Sequence, residues 1–178
     1  RQVEYLGVYS FGADATIRVR SLGVGSTCAD AVRLVRVPGP PPPSPPQPVI
    51  VDDGGAGTSR VGYWPVSGAS HPWGTVSLYS KEAGAEYRFE AALPAAGSYE
   101  VFAWWTSYPS RLAAVPVTVR HASGEKTLHV DQRTNGGKWS SLGLFEFATH
   151  GEVTIVSLGG GSTCADAVSF VPRSGTSP

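Results

Sequence analysis

The stretch "VPVTVRHASGEKTLHVDQ", residues 115–132, decides the fold class. Val115, Val117 and Val119 alternate with Pro116, Thr118 and Arg120, which is the two-residue period of a half-buried strand. Ala122-Ser123-Gly124-Glu125 then interrupts the pattern, and Leu128 and Val130 resume it. A strand, a glycine-bearing turn and a second strand predict a β-hairpin, with no helical spacing anywhere in the segment.

The same grammar continues on both sides. "SYEVFAWW" (98–105) places Tyr99, Val101, Ala103 and Trp105 on one face, so Trp104 and Trp105 must point opposite ways and one of them belongs to the core. Val49–Val51, Thr75–Ser80, Ala85–Ala91, Trp139–Phe147, Glu152–Leu158 and Cys164–Val171 add further strand-like runs, separated by turn sequences such as "DDGGAG" and "LPAAG". Around nine short strands without helical periodicity predict an all-β fold, a two-sheet β-sandwich.

"STCADAVSFV" (162–171) also occurs, nearly unchanged, as "STCADAVRLV" (26–35). At the same offset Leu6-Gly7 meets Leu142-Gly143, Phe11 meets Phe147, and Ser21-Leu22-Gly23 meets Ser157-Leu158-Gly159. Residues 1–37 are therefore expected to be the closing strands of a preceding repeat, an incomplete sandwich unable to bury its own apolar face. Residues 49–172 form one complete repeat, long enough for a proper core, and 173–178 begin the next linker. That organisation predicts a segment of a tandem array. The incomplete copy is expected to be completed either by sequence upstream or by strand exchange with a neighbouring subunit.

Between the copies runs "PGPPPPSPPQP" (38–48). Proline fixes φ and removes the N–H donor, so this segment is expected to be a polyproline II rod of about 3.1 Å per residue. It is read either as a plain spacer, or a ligand for a polyproline-binding domain, or as a modified rod. The third reading follows from "PPPPSPP", which resembles the spacers of hydroxyproline-rich glycoproteins of algal and plant extracellular matrix. That resemblance implies hydroxylation and O-linked glycans on Pro40, Pro41, Pro42, Pro43, Ser44, Pro45 and Pro46. The single Asn, Asn135, lies in "NGG" and is not an N-glycosylation acceptor.

Composition narrows the partners. Fourteen basic residues balance fourteen acidic ones, which removes the electrostatic footprint of a nucleic-acid binder. No apolar run approaches the ~18–20 residues of a membrane-spanning helix. Cys28 and Cys164 occupy one position in two repeats, so they are read as small buried hydrophobes or as a bridge to another chain or repeat.

Across residues 49–171 the blocks "VIVDDGGAG", "GYW", "LPAAGSYEVFAWW", "DQRTNGGKWSSLG" and "ADAVSFV" resemble the golvesin C-terminal-like domain, also found on xanthan lyases. The resemblance implies a jelly-roll sandwich of the carbohydrate-binding type, usually on secreted proteins, without catalytic activity. The chain departs from the usual pattern by a Cys before "ADAV" and by "SRLAAVP" at 110–116.

Flat rings stack on the C–H faces of sugars, so Tyr63, Trp64, Trp73, Trp104, Tyr108 and Trp139 are candidate carbohydrate contacts, each with core packing as its alternative. Trp64 and Trp73, in loops, are expected to form an exposed platform. Arg111, near Tyr108, is expected either to donate to a ligand hydroxyl or carboxylate or to stand solvated. Asp52, Asp53 and Asp166 converge on a structural calcium ion if the first and last strands are neighbours; otherwise Asp52 and Asp53 are turn residues. An inward Asp166 needs hydrogen bonds or a cation in either case.

Little supports catalysis. His71, His121, His129 and His150 are scattered, and Glu82, Glu86, Glu90 and Glu100 are explained by a solvated sheet face. Two functions are therefore expected. The first is a structural bead of an extracellular fibre or matrix glycoprotein, partnered by neighbouring repeats. The second is a carbohydrate-binding module of a secreted or cell-surface protein.

Overall fold

The computed structural model describes residues 6–7, 9, 11, 15–21, 23, 25–35 and 47–173. The chain divides into two compact units, Arg1–Pro43 and Ser44–Pro178. In the first unit no described residue lies in a strand, and all of them are exposed, including the free Cys28. Pro40, Pro41, Pro42, Pro43, Ser44, Pro45 and Pro46, with the rod and glycosylation expected of them, lie outside the described residues.

Among the described residues eleven strands form, each in the second unit: β1 (Val49–Asp52), β2 (Thr58–Val61), β3 (Leu78–Ser80), β4 (Glu86–Ala92), β5 (Gly97–Trp104), β6 (Val115–His121), β7 (Gly124–Val130), β8 (Ser140–Phe147), β9 (His150–Val156), β10 (Thr163–Ala165) and β11 (Ala167–Pro172). A four-stranded sheet has the order β1-β11-β5-β8, and a five-stranded sheet β2-β4-β9-β6-β7. A small ribbon pairs β10 with β3. The strand ladders are antiparallel throughout. This is the all-β, jelly-roll-type sandwich that the alternation and the resemblance imply.

The hairpin of β6 and β7 forms as its sequence dictates. His121 pairs with Gly124 across Ala122-Ser123, and Gly124 takes φ 128°, a value that a side chain opposes. Val115, Val117 and Val119 are buried on the inner face of the five-stranded sheet, beside Tyr87, Phe89, Val153 and Ile155. The four-stranded sheet supplies Tyr99, Val101, Ala103, Val168 and Phe170 from the other side. The two sheets meet so closely at Gly151 of β9 that a Cβ there would lie 2.5 Å from the Phe170 ring of β11. Removing a fully buried ring such as Phe89 typically costs about 3–5 kcal/mol.

Two departures from the sequence-based expectation have local causes. "TSRV" forms an unanticipated edge strand, β2, because its residues are mostly exposed and carry no apolar alternation. The final run, expected as one strand, breaks at Asp166 into β10 and β11, which join different sheets. The break leaves Asp166 at the junction of the small ribbon and the four-stranded sheet, completely buried. First and last strands are neighbours, with Asp52 opposite Ala167.

Candidate functional site

On the outer parity of β5, Phe102 and Trp104 point away from the core while Trp105 points into it. Trp104 is joined by two rings from loops. Its ring centroid lies 5.3 Å from Trp73 and 5.4 Å from Trp139, and Trp73 and Trp139 are 4.8 Å apart. All three rings are half-buried, so each keeps an edge or face toward solvent.

Backbone contacts position these loops. Trp104 Nε1 donates to the His71 carbonyl at 3.0 Å, and His71 holds the left-handed φ of 64° that this turn demands. The Trp73 N–H donates to Asp166 Oδ1 at 3.1 Å. In the other loop Gly137 N donates to Trp105 O at 2.9 Å, and Gly136 N to Ser107 Oγ at 2.7 Å. A Cβ on Gly136 would meet the Ser107 nitrogen at 2.4 Å, so only glycine lets this loop lie flat against residues 105–107. The loop bearing Trp139 is thereby pressed onto the end of β5.

Other aromatic candidates lie elsewhere. Tyr63 and Tyr108 are exposed, at 73% and 55%, and make no ring contact among the described residues. Trp64 corrects the expected platform: it is only 3% exposed. The tight turn after β2 folds its indole back under Tyr87, centroids 5.3 Å apart, where Nε1 donates to Val61 O at 3.0 Å. Arg111 is likewise neither solvated nor presented to bulk ligand. It is 5% exposed and donates to Thr106 O, Thr106 Oγ1, Ser162 Oγ and Ser67 Oγ. Its guanidinium also lies 5.7 Å from the centre of the Tyr79 ring.

Beside the tryptophans lies an acidic corner. A Cβ on Gly74 would stand 2.7 Å from Asp52 Oδ2, so the Trp73 loop closes directly onto Asp52. Burial, then repulsion from Asp52, pushes Asp53 up to about 7. Burial, then repulsion from Asp53, pushes Asp166 up to about 8. Asp52 is also raised, by burial. Asp53 Oδ2 and Asp166 Oδ2 are buried without a hydrogen-bond partner, an arrangement costly for a carboxylate unless a proton or cation meets it. Asp52 repels both Asp53 and Asp166, so the three carboxylates stand in one region, but their oxygens do not all come within 4.8 Å of one another.

Among the described residues the one set of three whose ligand atoms all lie within 4.8 Å of one another is Glu90, His150 and Glu152. There Glu152 already faces Arg88 at 3.6 Å and Arg120 at 3.8 Å, which answers its charge. His121 lies against the Phe145 ring at 5.3 Å, remote from that set in sequence. Cys164 is buried, its thiol pushed up by burial and in contact with the Thr106 N–H and hydroxyl at 3.4 and 3.3 Å.

Sequence reasoning found the three tryptophans without the means to sort them from Trp64. It missed Lys81 and Arg133, which line a groove with Arg111. Both sit in polar loops with no pattern to mark them.

The jelly-roll-type sandwich agrees with the comparisons. The model of the golvesin C-terminal domain matches residues 49–172. The chain belongs to the golvesin C-terminal domain family. The chain is 42% identical over 134 residues to a xanthan lyase of Bacillus sp. (strain GL1), an alignment covering 69% of this chain and 14% of that enzyme. The structure of a Paenibacillus xanthan lyase superimposes with TM-score 0.68 at 32% identity, over 71% of this chain and 13% of the other. A family 35 carbohydrate binding module from Clostridium thermocellum superimposes with TM-score 0.54 at 11% identity, over 71% of this chain and 99% of the module, and shares the fold. The chain thus spans only a small part of its enzyme relatives. Among the described residues no helix is long and apolar enough to cross a membrane.

Proposed function

We propose that the golvesin domain is a non-catalytic carbohydrate-binding module of an extracellular protein, with Trp73, Trp104 and Trp139 as its sugar-stacking platform. The mutual packing of these rings on the outside of β5 carries the reading. A saccharide laid on them buries its C–H face against indole while its hydroxyls remain in water. The xanthan lyase relatives make xanthan the first polysaccharide to try. Tryptophan fluorescence titrated with xanthan and with neutral plant polysaccharides tests it. Saturable quenching that Trp104→Ala abolishes supports the module; no quenching by any polymer overturns it.

The comparisons favour this reading over a structural bead. The second copy of "STCADAV" in residues 26–35 still favours several such modules strung along one chain, with residues 38–48 as spacer. Hydroxylated, glycosylated prolines in that spacer would show as mass added to its peptides.

The acidic corner is proposed to hold calcium through Asp53 and Asp166, with Asp52 as the third carboxylate. The two orphaned buried oxygens support it. A chelator should lower the melting temperature and calcium restore it, whereas Asp166→Asn should make stability indifferent to calcium.

A further inference from the structure

We propose that residues 15–21 and 25–35 are a docking segment, the closing strands of a second golvesin-type sandwich that carries a carboxylate where this chain has Arg88. With Ser26 aligned to Ser162, each side chain of the segment has a counterpart of known place in the fold. Tyr9, Phe11, Ile17, Val19, Val32 and Leu34 are exposed, whereas their counterparts Phe145, Phe147, Val153, Ile155, Val168 and Phe170 are buried in the core. An exposed set that matches a core position by position is a face made to be covered. Flanking backbone already has the matching shape. Gly7 and Gly23 take φ of 120° and 80°, close to the 126° and 73° of Gly143 and Gly159. A Cβ on Gly7 would meet the Tyr9 ring at 3.3 Å, as one on Gly143 would meet the Phe145 ring at 3.3 Å.

Two compensations within the segment match it to a closed core. Gly151 is outside the left-handed region, so its backbone does not require glycine; the Phe170 ring, 2.5 Å from where its Cβ would stand, does. The aligned residues are Ala15 and Leu34, which add a methyl where a ring is taken away. Val153 and Ile155 become Ile17 and Val19, trading one methylene between neighbours on one strand face. Exchanges that conserve volume are those a close-packed interior tolerates. The kept motif has the same meaning. Cys164 pairs with Gln132, and Asp166 holds the Trp73 loop, so Cys28 and Asp30 need such partners in an acceptor.

Charge decides which acceptor. Glu152 faces Arg88 at 3.6 Å and Arg120 at 3.8 Å, and Thr154 lies opposite Arg88 in the ladder of β4 and β9. The segment sets Thr16 in the place of Glu152 and Arg18 in the place of Thr154. Laid between β4 and β6 of a second copy of this chain, it would strip two arginines of their shared carboxylate and set a third cation against Arg88, and like charges directly opposite destabilise a sheet. Arg20, in the place of Val156, would meet Glu86, one favourable pair against these losses. A carboxylate at the Arg88 position reverses the balance, because Arg18 then finds its counter-charge. The partner is a different golvesin-type sandwich, not a second copy.

The full chain tests this when its closing strands are rewritten as the first copy. Gly151→Ala and Phe170→Leu should each lower the melting midpoint by about 5 °C or more, and the double variant should melt above Gly151→Ala alone. A double variant no more stable than either single one overturns the matched core. Glu152→Thr/Thr154→Arg/Val156→Arg should melt below the wild type, and adding Arg88→Glu should restore most of the loss. Absence of that rescue overturns the acid-bearing partner. The complete rewrite, in which these six join Val153→Ile and Ile155→Val, should still unfold cooperatively; failure to fold overturns the segment's competence to close a sandwich. Sedimentation and hydrogen exchange of the unaltered chain should show a monomer whose Ile17 and Val19 amides exchange fast. A dimer that protects those amides assigns the segment to a second copy and overturns the choice of partner.

Discussion

The backbone N–H of Trp73 donates to Asp166 Oδ1 at 3.1 Å across 93 positions of sequence, tying an aromatic of the surface cluster to a carboxylate buried at the break between β10 and β11. The bond couples two features that otherwise look unrelated. Whatever proton or cation satisfies Asp166 also fixes the loop that carries Trp73. Asp166→Ala should therefore weaken polysaccharide binding although it removes no ring, while Asp166→Asn, which keeps an acceptor for the N–H, should largely preserve it. Tryptophan quenching of the two variants side by side checks this.

Stability of the metal-free domain should fall as pH rises. Asp53 and Asp166 have an ordinary value of 3.8 when unfolded but are pushed up to about 7 and about 8 in the fold. Between those limits the folded state binds more protons than the unfolded state, so unfolding becomes easier with each rise in pH. The contribution is fully present below about pH 4 and lost once pH passes about 8. Glu100 and Asp131 act in the opposite sense, being lowered by Arg173 and Arg133 respectively, but they titrate near the acid end. Melting temperatures in chelator should thus decline from about pH 5 to about pH 9, and Asp166→Asn should flatten the decline. A rising curve over that window contradicts the prediction.

Gly136 should be intolerant of a side chain. Its Cβ would meet three atoms of Trp105 and Ser107 at 2.4–2.7 Å, two of them backbone atoms that cannot swing away. Gly136→Ala should cost about 1–3 kcal/mol by overpacking and should lift the Trp139 loop. Loss of the near-ultraviolet circular dichroism of the indole cluster, with far-ultraviolet signal retained, is the expected signature.

Much of this architecture was legible because strand burial obeys a two-residue period. Val115–Val119 and Tyr99–Trp105 announce their inner faces directly, and the alternation alone separates Trp104 from Trp105. β2 was not legible, since Thr58, Ser59 and Arg60 carry no apolar rhythm and the strand exists only because β4 offers an edge. Trp64 and Trp73 look alike in sequence, both in loops and each beside a proline. What separates them is the direction in which each loop folds, and that is fixed by contacts with Val61 and with Asp166. Arg111 was illegible for the same reason: its cage of hydroxyls comes from Ser67, Thr106 and Ser162, which only the finished fold assembles. Asp52, Asp53 and Asp166 could be connected in advance because pairing of first and last strands is a property of the fold.

Gln132 is the buried group whose removal should be felt most per atom. It is completely enclosed, and its amide replaces a missing strand partner for β10. Nε2 donates to the Cys164 carbonyl at 2.9 Å, and Oε1 accepts from the Cys164 N–H at 2.7 Å. Both backbone groups of one strand residue thus depend on one side chain. Gln132→Ala leaves an N–H and a C=O unpaired in the interior, each costing about 1–3 kcal/mol, and opens a cavity as well. Gln132→Glu keeps the acceptor toward the N–H but sets an oxygen against the carbonyl, unless the acid holds a proton that can bridge to it. Urea unfolding should therefore rank the wild type above both variants, with Gln132→Glu gaining relative stability at acid pH and Gln132→Ala showing no such recovery. If both variants unfold at the wild-type midpoint, β10 is held by its pairing with β3 and the amide is dispensable.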